Sequence, residues 1–524
     1  MKHNRAIAVG GSFLVLALLR GAAADAVLSK EVRQGEVEWL STFDLKIPDG
    51  GPLLENPFAE PFSRRSFLVP QAWWRAERPQ RVAAPLLRGD VRLLESLMRK
   101  AYGGWQSAEA RGWKWDAWFE SWDRELETAG DKDLDLPSAF APVGRLMDFQ
   151  PDNHTGFFGA PFGSGSRTAV LETSTSDACT EMKTADGRMF PLDSRDPAQA
   201  PKAARIVAGA DAAERPGQYF SYPSKRGSAI AIHCGAKWIP VRVTWTGMER
   251  IGLIAEMSGT AGDEPLYRQA APGIGYLRLP TFSKTNTELF RKLLPALPES
   301  AGHEKLLIVD LRRNFGGDNV VAQLSRWVDP EAIRDVMRFG QDEPKSCLYD
   351  ALRWGYMQYT MLPLKPPVSA ELRQTIQRGL DALYAPSPAG CPVTVEKVRS
   401  EWNYKRHQFP PEARPGKPRL LLLVDNFCGS DCEFTTYVLA SVPGSIIVGE
   451  NTFGVCQFIQ PGYCILPHSR VPFRIALGRS DLYGDGRSVD GYGLDVDMVL
   501  ADQASQRPAA ILKLAGRWAE SGAR

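Results

Sequence analysis

The rhythm of apolar and polar residues changes several times along this chain. In "DVRLLESLMRKAYGGW" the residues Val91, Leu94, Met98, Ala101 and Tyr102 recur at helical spacing, with Asp90 placed to cap the helix. "KWDAWFESWDRELE" continues in the same style, and the helical character ends near "RLMDFQPDNHTGFFG". Beyond it, "SAIAIHCGAKWIPVRVTWTG" alternates and is rich in β-branched residues, which predicts strands. From residue 272 the pattern becomes strand "GIGYLRLPTF", helix "ELFRKLLPAL", then "KLLIVDLR", a short continuous apolar run suited to a strand buried on both faces. "NFGGD" leads into the helix-like "NVVAQLSRWV". "PRLLLLVD", "EFTTYVLASV" and "SIIVGE" repeat strand, helix and strand.

That alternation predicts an α/β core with a parallel component. The domain reading that follows is 25–158 helical, 159–268 a small β-rich domain, 269–330 plus 417–505 the α/β core, and 331–416 a helical insertion. The Trp-rich stretches at 73–74 and 105–122 read as core or interdomain packing.

Composition narrows the function classes. A chain of 524 residues with 44% hydrophobic and 24% charged residues is ordinary for a globular protein. A net charge of +2 without a basic stripe leaves no electrostatic footprint for nucleic acid. "MKHNR", "AIAVGGSFLVLALL" and "GAAADA" read as the three regions of a secretory signal peptide, residues 1–24, with an uncleaved anchor as the other reading. No stable membrane span is expected in the mature chain, and export to the periplasm or the medium is. Eight cysteines, at 179, 234, 347, 391, 428, 432, 456 and 464, suit disulfides in an exported protein. Their spacing does not suit zinc, and neither a metal nor another cofactor is expected.

Two loops carry the candidate chemistry. In open α/β sheets ligands bind beyond the carboxyl ends of the strands. "DLRRNFGGD", residues 310–318, and "DNFCGSDCE", residues 425–433, both occupy such ends. Ser430 would present its hydroxyl at a helix N-terminus, where unpaired backbone N–H groups stabilise negative charge. The N–H of Asp431 and one from Gly316 or Gly317 would form an oxyanion hole. The same residues also suit a plain helix cap and a plain turn.

Taken together, "GYLRLPTF", "KLLIVDLRRNFGGD", "LLLLVDNFCGSDCEFTTYVLA", "IIVGENTFG" and "VDGYGLDVDM" resemble the catalytic core of the tail-specific, or C-terminal-processing, serine peptidases. The tricorn protease core and the interphotoreceptor retinoid-binding repeats share that fold. The resemblance implies a ClpP/crotonase-like mixed sheet and a protein or peptide substrate. It implies Ser430 as nucleophile. Val455 stands where part of the family carries the lysine of a Ser–Lys dyad, and valine accepts no proton. The other branch draws a histidine from the preceding domain and an acid from the C-terminal close. Among six histidines, His154 in "PDNHTGFF" matches that element, and Asp490 falls at the acid's position. Glu433 matches the family's helix glutamate and reads as structural, aided by the helix dipole. No clear carboxylate-binding loop of the PDZ type stands in 160–265.

Cys456 should lie near Ser430, and a bridge from it to Cys428 or Cys432 would brace the loop. Three functions remain open: a serine endopeptidase using Ser430, His154 and Asp490, a non-catalytic peptide- or apolar-ligand-binding protein on the same fold, and an ester or amide hydrolase. The absence of a Gly-x-Ser-x-Gly segment around Ser430 argues against the last in its α/β-hydrolase form.

Overall fold

The structure is a computed structural model. It describes residues 77–149, 165–171, 176–192, 198–244, 249–259, 263–328, 348–384, 416–480 and 488–520, with short stretches between them such as 37–46 and 154–157. The signal-peptide reading and Cys347 and Cys391 lie outside the described residues.

The four apolar runs of the core do form neighbouring strands. Ile274–Arg278, Leu306–Asp310, Arg419–Val424 and Ser445–Gly449 pair in parallel in that order, and Met498–Leu500 follows. Every residue of the first four strands is buried, because both sheet faces are covered. Successive side chains go to opposite faces. Leu420, Leu422 and Val424 join Tyr437 and Val438 of the helix Asp431–Ala440. Leu421 and Leu423 join Ile511, Leu514 and Trp518 of the helix Pro508–Glu520. The expected α/β class with a mixed, parallel-containing sheet is what the chain adopts.

Beyond Met498–Leu500 the sheet does not stop. Lys202–Ala208 adds in parallel, and the β-rich segment continues antiparallel, so that thirteen strands among the described residues form one sheet. A second sheet is built around Pro472–Ser480, which pairs with Phe458–Ile465, Gly156–Phe157 and Gln341–Lys345. It carries the helical N-terminal region on its back. Trp115, Trp118 and Trp122 of Trp115–Thr128 share one apolar cluster with Leu87, Leu94 and Met98 of Ala84–Ala101. The described helices of the insertion, Leu348–Met361 and Ala370–Tyr384, bury Leu352, Trp354 and Leu380 in the same cluster.

Two local expectations are corrected. Asp90 is no cap, since its helix starts at Ala84, where Pro85 sits in the first turn and needs no N–H partner. Asp90 is fully buried instead and accepts the backbone N–H groups of His468 and Ser469 at 3.1 and 2.7 Å. "NVVAQLSRWV" gives only the single 3-10 turn Val321–Leu324, because Asn319 Oδ1 takes the Val321 N–H at 3.0 Å and favours a turn over a helix. Among the described residues no helix is long and apolar enough to cross a membrane.

Candidate active site

The buried strand Arg419–Val424 delivers the chain to a tight turn. Asp425 Oδ1 accepts the N–H groups of Arg313 and Phe427 at 2.9 and 3.0 Å, and Cys428 N–H bonds the Asp425 carbonyl at 2.9 Å. Gly429 N–H reaches across to the Asn314 carbonyl at 3.0 Å, which ties the serine turn to the glycine loop. Ser430 then takes φ 56° and ψ −125° and becomes the N-cap of Asp431–Ala440. Non-glycine residues avoid that region, at a cost of about 1–3 kcal/mol, and hold it where the surroundings enforce it. The turn is therefore a sharp strand-to-helix elbow with half-buried Ser430 at its tip, in a capping box with Glu433, although the flanking residues are not the glycines of the α/β-hydrolase motif.

A disulfide joins Cys428 to Cys432 and encloses this elbow. Closing so short a loop constrains the unfolded chain by about 2 kcal/mol, the size of the strain it opposes. The expected bridge from Cys456 is not formed: Cys456 and Cys464 are buried free thiols. Cys428, before the elbow, and Cys432, in the first turn of the helix, already reach each other, with Cα atoms 5.4 Å apart. A second disulfide joins the paired strand residues Cys179 and Cys234 in the β-rich segment.

The glycine loop is rooted in a buried ionic knot. Arg312 grips Asp310 with both prongs, at 2.9 and 2.6 Å, and Tyr276 donates its hydroxyl to Asp310 Oδ2 at 2.8 Å. Burial opposes ionisation of Asp310, but Arg312 and Arg278 outweigh it and hold the carboxyl down to about 2. From this root Asn314 donates its side-chain amide to the Leu279 carbonyl at 2.9 Å and accepts the Gly316 N–H at 2.9 Å. Gly316 has φ 84°, and a Cβ there would lie 2.8 Å from the Asp431 nitrogen and 2.9 Å from Ser430 Cβ. The two loops thus meet backbone to backbone at the serine.

Of the three expected oxyanion donors, Gly316 has spent its N–H on Asn314. The Gly316 carbonyl accepts the Phe282 N–H at 3.0 Å, so the Gly317 N–H, trans to it across the peptide, points away from Phe282. The Asp431 N–H heads the helix, where no intrahelical acceptor exists. Neither the Gly317 nor the Asp431 N–H meets an acceptor among the described residues. Phe315, 54% exposed, stands beside them with its ring edge-on to Phe453 at 4.9 Å. Burial and then the Asp318 carboxylate push Asp431 up to about 6.

His154 belongs to the other sheet, just before Gly156–Phe157. Its backbone N–H donates to Asp152 Oδ1 at 2.8 Å. Its ring faces the Phe458 backbone carbonyl, its Nδ1 is buried without a partner, and burial with the nearby Arg474 holds it down to about 4. The imidazole is therefore a neutral base at neutral pH. Asp490 is fully buried and accepts the Gln457 N–H at 2.8 Å, one residue from the carbonyl that faces His154. Among the described residues no hydrogen bond joins His154 to Ser430 or to Asp490.

The segment between the two sheets is fixed by Glu433. Its carboxylate accepts the N–H groups of Gly454 and Val455 at 2.7 Å each, the Thr452 hydroxyl, and the Ser430 N–H at 3.3 Å. Burial pushes it up to about 7 in spite of these donors. Val455 lies against Gly429, where a Cβ would come within 2.9 Å of Val455 Cγ1. Sequence reasoning missed Asn314 and the Asp431–Asp318 pair. Asn314 lies inside the recognised strand–loop segment, whereas the acid pair forms only when two distant loops meet.

Residues 273–463, which hold Ser430 and both glycines, match the sequence profile of Peptidase family S41. The likeness to peptidase family S41 lies in this core. No curated protein matches the chain. Among solved structures, the S41 core and its flanking regions are similar to mature CPAF at 15% identity and TM-score 0.38, covering 84% of this chain and 99% of that one. A putative peptidase from Parabacteroides merdae matches at 14% identity and TM-score 0.36, covering 82% of this chain and 96% of that one. The photosystem II D1 C-terminal processing protease matches at 12% identity and TM-score 0.33, covering 84% and 98%.

Proposed function

We propose that this S41 peptidase is an exported serine endopeptidase of the tail-specific kind, with Ser430 as nucleophile and His154 as general base. One observation carries the reading: Ser430 holds φ 56° and ψ −125° at a helix N-terminus, with the Gly316 backbone against it. A plain N-cap has an extended backbone and no need of such strain. The signal-like N-terminus and the disulfides support export.

In this reading His154 leaves the Phe458 carbonyl and accepts the Ser430 proton as substrate closes the site. Hydrogen bonds of this kind are often loose before substrate binds. Ser430 Oγ attacks the scissile carbonyl, and the oxyanion rests on the N–H groups of Asp431 and Gly317. The C–N bond breaks, and His154 returns the proton to the leaving amine. Water, deprotonated by the same imidazole, then hydrolyses the acyl-enzyme. Asp490 serves as the acid that orients His154.

The rival is a non-catalytic protein binding a peptide or an apolar ligand on the same fold. The missing Ser430–His154 hydrogen bond favours it. A fluorophosphonate probe separates the two. Adduct formation on Ser430 that is lost in His154→Ala is the expected result. A folded protein that forms no adduct would sink the peptidase reading.

A further inference from the structure

We propose that the Cys428–Cys432 disulfide is the positioning element of the nucleophile, so that the serine is fully reactive only while this bond is closed. The inference rests on the serine-peptidase reading and deepens it. The bridge encloses Gly429, Ser430 and Asp431, that is, the nucleophile and one of its oxyanion donors. Hydrogen bonds also hold the turn: within the bridge Gly429 N–H to the Asn314 carbonyl and Ser430 N–H to Glu433, and at its first cysteine Phe453 N–H to the Cys428 carbonyl at 2.8 Å.

The peptide between Ser430 and Asp431 is a different case. Its N–H has to stay unpaired to receive the oxyanion, so only its carbonyl side is held by a hydrogen bond, from the Phe434 N–H to the Ser430 oxygen at 3.0 Å. A covalent bridge fixes the peptide without consuming the donor. Both sulfur-bearing residues are fully buried, in the same apolar cluster as the Cys456 thiol. The elbow is thus locked from the core side. A dithiol reductant opens the lock by two-electron exchange. Cys428 and Cys432 each gain one electron and one proton, and the reagent becomes a cyclic disulfide.

The test is the fluorophosphonate inactivation rate of the full mature chain, oxidised and after dithiothreitol, with the state of each cysteine mapped by alkylation. On reduction the maximal inactivation rate is expected to fall about tenfold or more, as for loss of an oxyanion contact, with the half-saturating probe concentration within about twofold. Reoxidation restores the rate. The variant C428A/C432A behaves as the reduced protein and ignores the reductant, whereas C179A/C234A keeps the response. Unchanged inactivation by C428A/C432A overturns the proposal. If that variant does not fold, the wild type decides: full reactivity with Cys428 and Cys432 mapped as thiols also overturns it. Should the oxidised protein form no Ser430 adduct, the peptidase reading falls first and takes this inference with it.

Discussion

Gly316 shows how much a single absent methyl group decides. A Cβ there would lie 2.6 Å from the Gly429 carbonyl and 2.8 Å from the Asp431 nitrogen, and its φ of 84° already disfavours any side chain. Gly316→Ala is expected to push the loops apart and lower kcat/KM by about 100-fold, the loss seen when an oxyanion donor is misplaced. Steady-state kinetics checks this, with circular dichroism confirming the fold. In the proposed mechanism His154 and Asp431 set the pH profile. The base is active when neutral, and burial holds it down to about 4, so the acid limb of kcat/KM falls near 4 and not near the ordinary histidine value. Asp431 ionises as pH rises through about 6 and adds an anion where the oxyanion forms, so kcat/KM declines above that pH. Asp431→Asn is expected to flatten the decline. A decline that Asp431→Asn leaves unchanged would assign it to another group. The meeting of the Ser430 turn with the glycine pair was legible in the sequence, because each loop follows a buried strand in a short, local pattern. The Asp431–Asp318 pair was not, because it is a contact between loops over a hundred residues apart in sequence.

Among elements, the buried parallel strands were the most legible, since continuous apolar runs such as Leu420–Val424 have one good use, a strand covered on both faces. The ends of elements were less so. Asp90 has the chemistry of a cap, but Pro85 lets its helix begin earlier and leaves that carboxylate for the His468–Ser469 turn. Cysteine pairing was legible only as a need for disulfides, because the elbow at Ser430 brings Cys432 back to Cys428 and leaves Cys456 unpaired. The glycine loop depends on the strand Leu306–Asp310 ending in a buried, fully paired ion. Asp310→Ala would leave Arg312, 1% exposed, charged and without its carboxylate. Breaking such a pair from one side costs about 3–5 kcal/mol. A lower urea midpoint at unchanged slope, the shift times the slope matching that loss, is the expected outcome, and a loss under about 1 kcal/mol would mean that water replaces the partner.

At the scale of the whole molecule, the proposed nucleophile and the proposed base stand on different sheets. Ser430 ends a strand of the large sheet, and His154 precedes a strand that pairs with Pro472–Ser480 of the other. Their separation in sequence is why a motif could nominate both yet not show their distance. Rigid seating of one sheet on the other sets that distance, and residues 452–457 form the seat. Phe453 bonds Cys428 beneath the serine, Gly454 and Val455 bond Glu433, and Gln457 bonds Asp490 before the strand that faces His154 begins. Gly454 is a tight point of the seat. It has φ 84°, its carbonyl accepts the Gly491 N–H at 3.0 Å, and a Cβ would come within 2.6 to 2.8 Å of Gly491, Val489 and Gly493 backbone atoms. Gly454→Ala therefore forces the acid-bearing loop away from the seat while leaving Ser430, Gly316 and Gly317 untouched. A rigid seat predicts a kcat loss of about tenfold or more, since small misplacement of a catalytic group costs up to about 100-fold. KM should change little, because binding groups on the large sheet do not move. If Gly454→Ala instead raises KM with kcat intact, the seat shapes substrate binding, and the base reaches Ser430 by a motion that does not depend on it.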